Sequence, residues 1–182
     1  KGLIRTIGAP EERFAEDHLR MLRAVRFAAN LGFRVEDAAL AAIIHQADKI
    51  LRVSAERVRE ELNRILAGPR PRRGMELLAS SGLLSRLLPE LVALRGVEQP
   101  SRFHPEGDVW EHTLRMLALL PAEDLPGEEA ERLAWAILFH DAGKTATRTE
   151  DETGIHFYGH VSKGVEIAAA VLKRLKFSRE DG

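Results

Sequence analysis

The sequence predicts an all-α fold: a helical domain over residues 1–98, then a second helical domain over 99–182 that carries one small β-hairpin. Three observations point there. Apolar residues recur at i, i+3, i+4 and i+7 over several windows, the period of a helix with one buried face. Helix start and stop residues (Gly32, Ser54, Gly68-Pro69, Asp108) stand at the ends of those windows. Only residues 145–158 combine Thr, Ile, Phe and Tyr around a polar Glu-Asp-Glu-Thr-Gly tip, the mark of a hairpin.

The elements follow in order. A first helix is expected over residues 11–31, with Phe14, Met21, Leu22, Val25 and Ala28 as its apolar stripe and Gly32 as terminator. A second is expected over 35–50, including Leu40, Ile43 and Ile44. A third starts at Ser54 as N-cap and ends before Gly68-Pro69. Residues 75–91 read as one or two short helices around Gly82 and Pro89. The Pro- and Gly-bearing stretch 96–107 is the expected domain boundary. Asp108 followed by Glu111 forms a capping-box-like start to a helix through 120. Another helix spans 128–141, with Leu133, Ile137 and Leu138 on its apolar side, and a last one spans 161–175.

Composition narrows the function classes. The 182 residues are 45% hydrophobic and 30% charged, a globular balance. The absence of cysteine excludes disulfides, thiolate metal sites and cysteine nucleophiles within the sequence, and fits an intracellular protein. No apolar run reaches the roughly 18 residues of a membrane span. Charge is uneven. Residues 1–100 carry 17 Lys/Arg against 13 Asp/Glu, a net of +4, while residues 101–182 carry 10 against 15, a net of −5. The arginine-rich first half is compatible with a nucleic-acid partner, though ordinary charge scatter gives the same numbers.

Two constellations can carry chemistry. The first is Arg13-Phe14-Ala15-Glu16-Asp17-His18-Leu19-Arg20, followed by Arg23 and Arg26. On one continuous helix Asp17 and Arg20 are neighbours, with Arg13 on the same side. A salt-bridged solvent face explains these residues. So does base recognition: a carboxylate beside a guanidinium offers an acceptor next to donors, which complements the amino group and ring nitrogen of both cytosine and adenine. Uracil and guanine reverse that pattern and would leave polar groups unpaired.

The second constellation is a histidine set. Five of the seven histidines (His104, His112, His140, His156 and His160) lie between positions 104 and 160, and His140 is followed by Asp141 and, three residues on, by Lys144. Imidazole and carboxylate ligands suit Mn, Fe, Ni, Co or Zn in a catalytic site. Lys144 is placed to neutralise phosphate charge beside such an ion.

At these residues the chain resembles a known family. Ile4-Arg5-Thr6-Ile7-Gly8, leading into Arg13-Phe14-Ala15-Glu16-Asp17 and Arg20-Met21-Leu22-Arg23-Ala24-Val25-Arg26-Phe27-Ala28, looks like the neck of bacterial class II tRNA nucleotidyltransferases, the CCA-adding enzymes, and their poly(A) polymerase relatives. The resemblance implies that Asp17 and Arg20, with Arg13 beside them, recognise the base of CTP or ATP. The second half is similar to the HD phosphohydrolase domain that some of these enzymes carry, at residues 104–108, His112-Thr113-Leu114, His140-Asp141-Ala142-Gly143-Lys144 and Phe157-Tyr158-Gly159-His160. It implies metal binding by His112, His140 and Asp141, with His160 as a further ligand or substrate contact, and a catalytic role for Asp141 and Lys144. The implied cofactors are divalent metals, Mg for the polymerase head and Mn, Ni, Co, Fe or Mg at the HD site.

The sequence departs from the family in places. Ala9 stands where the family often has Asp, and His18 where it often has Pro. The head's Gly-Gly-x-x-Arg-Asp and Asp-x-Asp stretches are not in these residues, and the sequence stops at Gly182, before the late HD aspartate that the resemblance leads one to expect. Together with the start at Lys1, this reads as an interior piece of a longer enzyme. The expected function is therefore the neck and HD portion of a cytoplasmic tRNA or RNA 3′-end nucleotidyltransferase that uses CTP and ATP, with a phosphatase or 2′,3′-cyclic phosphodiesterase site. The piece alone is not expected to transfer nucleotides. A free-standing nucleotide phosphohydrolase and a non-catalytic RNA-binding module are the alternatives.

Overall fold

The computed structural model describes residues 2–100, 107–122 and 124–178, and they form a helical array with two minimal strand pairs. The chain opens with strand β1 (Leu3–Ile4), then helices α1 (Pro10–Glu16) and α2 (Leu19–Leu31), strand β2 (Arg34–Val35) and helix α3 (Asp37–Gln46), which runs on as a 3₁₀ turn over Ala47–Arg52. Helices α4 (Ala55–Leu66), α5 (Pro71–Ser80), α6 (Leu83–Leu87) and α7 (Pro89–Val92) follow. After the boundary segment come α8 (Val109–Ala118), α9 (Gly127–Phe139), α10 (Lys144–Thr147), the hairpin strands β3 (Thr149–Asp151) and β4 (Gly154–His156), and α11 (His160–Arg174). The all-α expectation with one hairpin holds. No described helix is long and apolar enough to cross a membrane.

Local chemistry explains most element ends. Gly32 sits at φ 68° and its N–H bonds back to Ala28 and Ala29, a left-handed helix stop that favours glycine. Asp108 caps α8, its Oδ1 accepting from the Glu111 N–H at 2.8 Å. Its Oδ2 accepts from the Gly96 N–H at 2.7 Å, and the Val109 N–H bonds to the Val97 carbonyl, so the two ends of the boundary segment meet. Ser54 stands at the N-cap of α4 but makes no side-chain cap bond.

Four expectations need correction. The helix expected over 11–31 is broken: Asp17 is extended at φ −149°, ψ 104°, and ends α1 before α2 begins. The helix expected over 35–50 begins later, because Val35 pairs with Ile4 in a parallel bridge, and it tightens into a 3₁₀ turn after Gln46. Residues 75–91 hold parts of three helices rather than two. Leu133 is 41% exposed, whereas Trp135 two residues on is buried beside Ile137 and Leu138.

One hydrophobic core runs through both halves. It starts from Phe14, Met21, Leu22 and Val25, passes through Leu62, Leu66, Met75 and Leu78, and continues into Leu114, Leu117, Leu138 and Val171. Helix α2 packs on α4 and α5, while α5 meets α8 and α4 meets α9. Truncating any of these fully buried leucines to alanine is expected to cost about 2–5 kcal/mol.

Candidate metal centre and helix break

Helix α8, the end of α9 and the start of α11 converge on Asp141. His112 projects from the first turn of α8, His140 caps α9, and His160 opens α11. Donor atoms of His112, His140 and Asp141 all lie within 4.8 Å of one another. The His140 Nε2 is 3.0 Å from Asp141 Oδ2, and the His112 Nε2 is 4.0 Å from the same oxygen. On the other side His160 Nε2 is 3.9 Å from Oδ1. Among the described residues the structure thus brings together His112, His140, Asp141 and His160. His104 lies outside the described residues.

The tautomers are set from behind. His140 Nδ1 is 2.7 Å from the Ile137 carbonyl and His160 Nδ1 is 2.7 Å from the Phe157 carbonyl. A carbonyl only accepts, so each Nδ1 carries a proton and each ring turns its Nε2 toward Asp141. The His140 Nε2 is buried and has no hydrogen-bond partner, since its approach to Asp141 lacks hydrogen-bond geometry. A buried ring nitrogen without a hydrogen-bond partner is costly in isolation. Donors 3–4 Å apart match ligands that each sit about 2.0–2.2 Å from one ion. The residues present therefore fit a divalent cation.

Electrostatics keep the cluster anionic at its centre. Burial alone raises the Asp141 carboxyl, but His140 and Lys144 outweigh it and hold the group far below the usual carboxylate range. Burial pulls the His140 imidazole down, while the Asp141 charge and the Ile137 carbonyl leave it above its ordinary value. Lys144 is only 8% exposed and donates to Asp141 Oδ2 at 2.7 Å and to Gln99 Oε1 at 2.6 Å. Its charge is directed at Asp141 rather than outward. Sequence reasoning missed Gln99, which is buried at 7% exposure although it sits in the boundary segment. A glutamine in a Pro/Gly-bearing stretch carries no sequence signal of burial.

Gly143 makes this convergence possible. A Cβ there would stand 2.0 Å from the His160 carbonyl oxygen and 2.6 Å from the Gly164 nitrogen. Only glycine lets the backbone after Asp141 touch the first turn of α11, and that contact fixes His160 beside Asp141.

The neck constellation looks different. Asp17 does not pair with Arg20 as expected, because the helix break turns it. Its Oδ1 accepts from the Leu19 N–H at 3.1 Å and its Oδ2 from Arg57 at 3.0 Å. Burial raises the Asp17 carboxyl, but those donors bring it below its ordinary value. Arg20 donates instead to the Arg13 carbonyl at 3.0 Å and to Glu16 at 2.6 Å, and Arg13 also binds Glu16. Arg13, Asp17 and Arg20 still flank one break, and Arg57 of α4 binds Asp17 there. Nothing in a spacing of 40 residues could have announced Arg57.

The structure is thus a helical region joined to a second helical region that carries a His/Asp cluster. The family described as "Probable RNA and SrmB-binding site of polymerase A" matches residues 32–94, and the HD domain family matches 109–181. Multifunctional CCA protein of Nitrosococcus oceani is 39% identical over 178 residues, covering 97% of this chain and 42% of that protein. The CC-adding tRNA nucleotidyltransferase of Thermus thermophilus is 42% identical over 181 residues, covering 93% and 40%. The crystal structure of Bacillus stearothermophilus CCA-adding enzyme in complex with CTP superposes with a TM-score of 0.57 at 30% identity, covering 96% of this chain and 38% of that one. Over nearly its whole length the chain is thus similar to tRNA nucleotidyltransferases. It spans about two fifths of the length of the curated relatives it matches.

Proposed function

We propose that the chain is the neck and HD portion of a CCA-adding type of tRNA nucleotidyltransferase, and that its His/Asp cluster is a metal-dependent phosphohydrolase site acting on nucleotide phosphoesters. The observation that carries the second part is the buried, partnerless His140 Nε2 directed at Asp141, within ligand distance of His112. His112, His140 and Asp141 would hold a divalent cation, with His160 on the opposite oxygen of Asp141. A cation held there supplies Lewis acidity, acidifying water and polarising a phosphoryl oxygen. The chain's own residues preorganise this. Ile137 and Phe157 carbonyls fix the two imidazole tautomers, and Lys144, backed by Gln99, anchors Asp141 Oδ2. Lys144 is thus a positioning residue for the carboxylate.

In the neck, Asp17 and Arg20 would read the base of CTP or ATP, with Arg13 on the same break and Arg57 holding Asp17 in place. Similarity to a CC-adding tRNA nucleotidyltransferase and to a CCA-adding enzyme solved with CTP supports this assignment.

The phosphohydrolase reading is tested by titrating the protein with Mn²⁺ and following hydrolysis of 2′,3′-cyclic AMP. Wild type is expected to bind the ion and hydrolyse, with activity lost on chelation. His140→Ala and Asp141→Ala are expected to weaken Mn²⁺ binding by at least about 10–100-fold, the loss typical of even an outer-shell defect. Unchanged binding and hydrolysis in both variants would remove these residues from the site.

A further inference from the structure

Residues 156–160 lead from the hairpin into α11. The Phe157 ring lies 5.3 Å from the Lys144 ammonium, and its carbonyl fixes His160. His156 and Tyr158 stack on each other, ring centroids 5.3 Å apart and 11° from parallel. Tyr158 is 77% exposed, so this stack is no part of the core.

The hairpin holds the lower ring of the pair. His156 Nε2 lies 2.7 Å from Thr153 Oγ1 and 3.1 Å from Asp151 Oδ1, and the Thr153 N–H closes the turn onto the same Asp151 oxygen at 2.8 Å. Strand β3 is exposed throughout and buries nothing. The polar network of β3–β4 therefore orders one imidazole beneath one open phenol. Tyr158 is two residues from His160, so its Cα lies within about 7 Å of that ligand candidate's Cα.

We propose that the His156–Tyr158 stack is a nucleobase platform at the mouth of the HD centre, so that the site selects phosphoesters carrying a base, such as a terminal nucleotide of RNA, over base-free sugar phosphates. Every base offers a π-face to a flat exposed ring, which gives affinity without sequence choice. The substrate's phosphate would then extend toward the Asp141 cluster, which His160 borders at 3.9 Å two residues along the chain. This rests on the phosphohydrolase reading for what is hydrolysed, but base binding itself does not depend on turnover.

The sequence contains a single tyrosine, so protein labelled with 3-fluorotyrosine gives one ¹⁹F resonance from Tyr158. Adenosine monophosphate is expected to shift that resonance, and ribose 5-phosphate to leave it in place. In turnover of 2′,3′-cyclic AMP, Tyr158→Ala is expected to raise KM about tenfold with kcat within twofold, and Tyr158→Phe to restore wild-type KM. A resonance moved equally by both ligands or by neither, or one that moves only with protein concentration as self-association requires, overturns the platform. So does an unchanged KM in Tyr158→Ala. The two readings separate cleanly. A shift with adenosine monophosphate in a protein that hydrolyses nothing keeps the platform and defeats the phosphohydrolase. Metal-dependent hydrolysis without the shift does the reverse.

Discussion

Glu61 shows at the scale of one residue how the arginine excess of the first half is used. Its side chain is 2% exposed on α4, with Arg26 at 2.8 Å, Arg23 at 3.3 Å and Arg64 at 3.4 Å. Arg64 is visible in the sequence as an i+3 partner on the same helix. Arg23 and Arg26 arrive from α2, and no local pattern says which helix will face which. A carboxylate taken out of water needs such partners, and the arginines, which reach the surface, keep water when it is lost. Glu61→Ala is therefore expected to lower stability by about 3 kcal/mol, the lower end for breaking a buried ion pair. Urea denaturation measures it, and a loss below 1 kcal/mol would show that the cluster is ordinary surface electrostatics. The same reasoning bears on legibility at the HD centre. His112, His140, Asp141 and His160 could be named because histidine and aspartate are rare enough in this sequence to be noticed at helix ends. Gln99 could not, because its role comes from tertiary burial alone.

The break between α1 and α2 is the clearest case at the scale of elements. The apolar stripe Phe14, Met21, Leu22, Val25 and Ala28 is buried as expected, so periodicity found the correct face. It could not find the interruption, because a short break keeps the register nearly intact. The cause is side-chain competition with the helix backbone. Asp17 gives its carboxylate to the Leu19 N–H, and the His18 Nδ1 donates to the Phe14 carbonyl at 2.7 Å. The family's frequent proline at position 18 carried the missing signal. His18 has φ −63°, the angle a proline ring imposes, and the extended Asp17 before it suits a following proline. His18→Pro is thus expected to fold with stability within about 1 kcal/mol of wild type, the gain in unfolded-state entropy offsetting the lost Phe14 bond. A continuous helix would instead lose about 3 kcal/mol. Thermal unfolding of the variant decides between the two, and a large loss would mean that residues 17–18 are helical in solution.

Across the whole molecule, two family matches meet around a boundary that the core ignores. Trp135 of α9 donates to Asn63 of α4 at 2.8 Å, Arg72 of α5 reaches Glu111 of α8 at 2.8 Å, and Arg174 of α11 grips Glu90 of α7 with both nitrogens, at 2.7 and 2.9 Å. The last of these clamps the final helix to the neck, since Arg174 also donates to the Leu87 carbonyl at 3.0 Å. Burial of Glu90 raises its carboxyl, but the Arg174 bonds prevail and leave it below the ordinary 4.5. A carboxyl lowered by folding stabilises the folded state above its unfolded value and loses that contribution as pH falls through the lower folded value. Glu90→Gln is accordingly expected to cost about 1 kcal/mol at pH 7, a modest figure because the Arg174 side chain is 45% exposed. The gap between wild type and variant should hold down to about pH 4.5 and then close with further acidification, because wild type alone has a carboxylate there to protonate. Chemical denaturation at pH 7, 5, 4 and 3 follows it. A gap that stays constant or widens in acid would show that Glu90 acts by packing, and that the clamp between the two halves is not an ionic one.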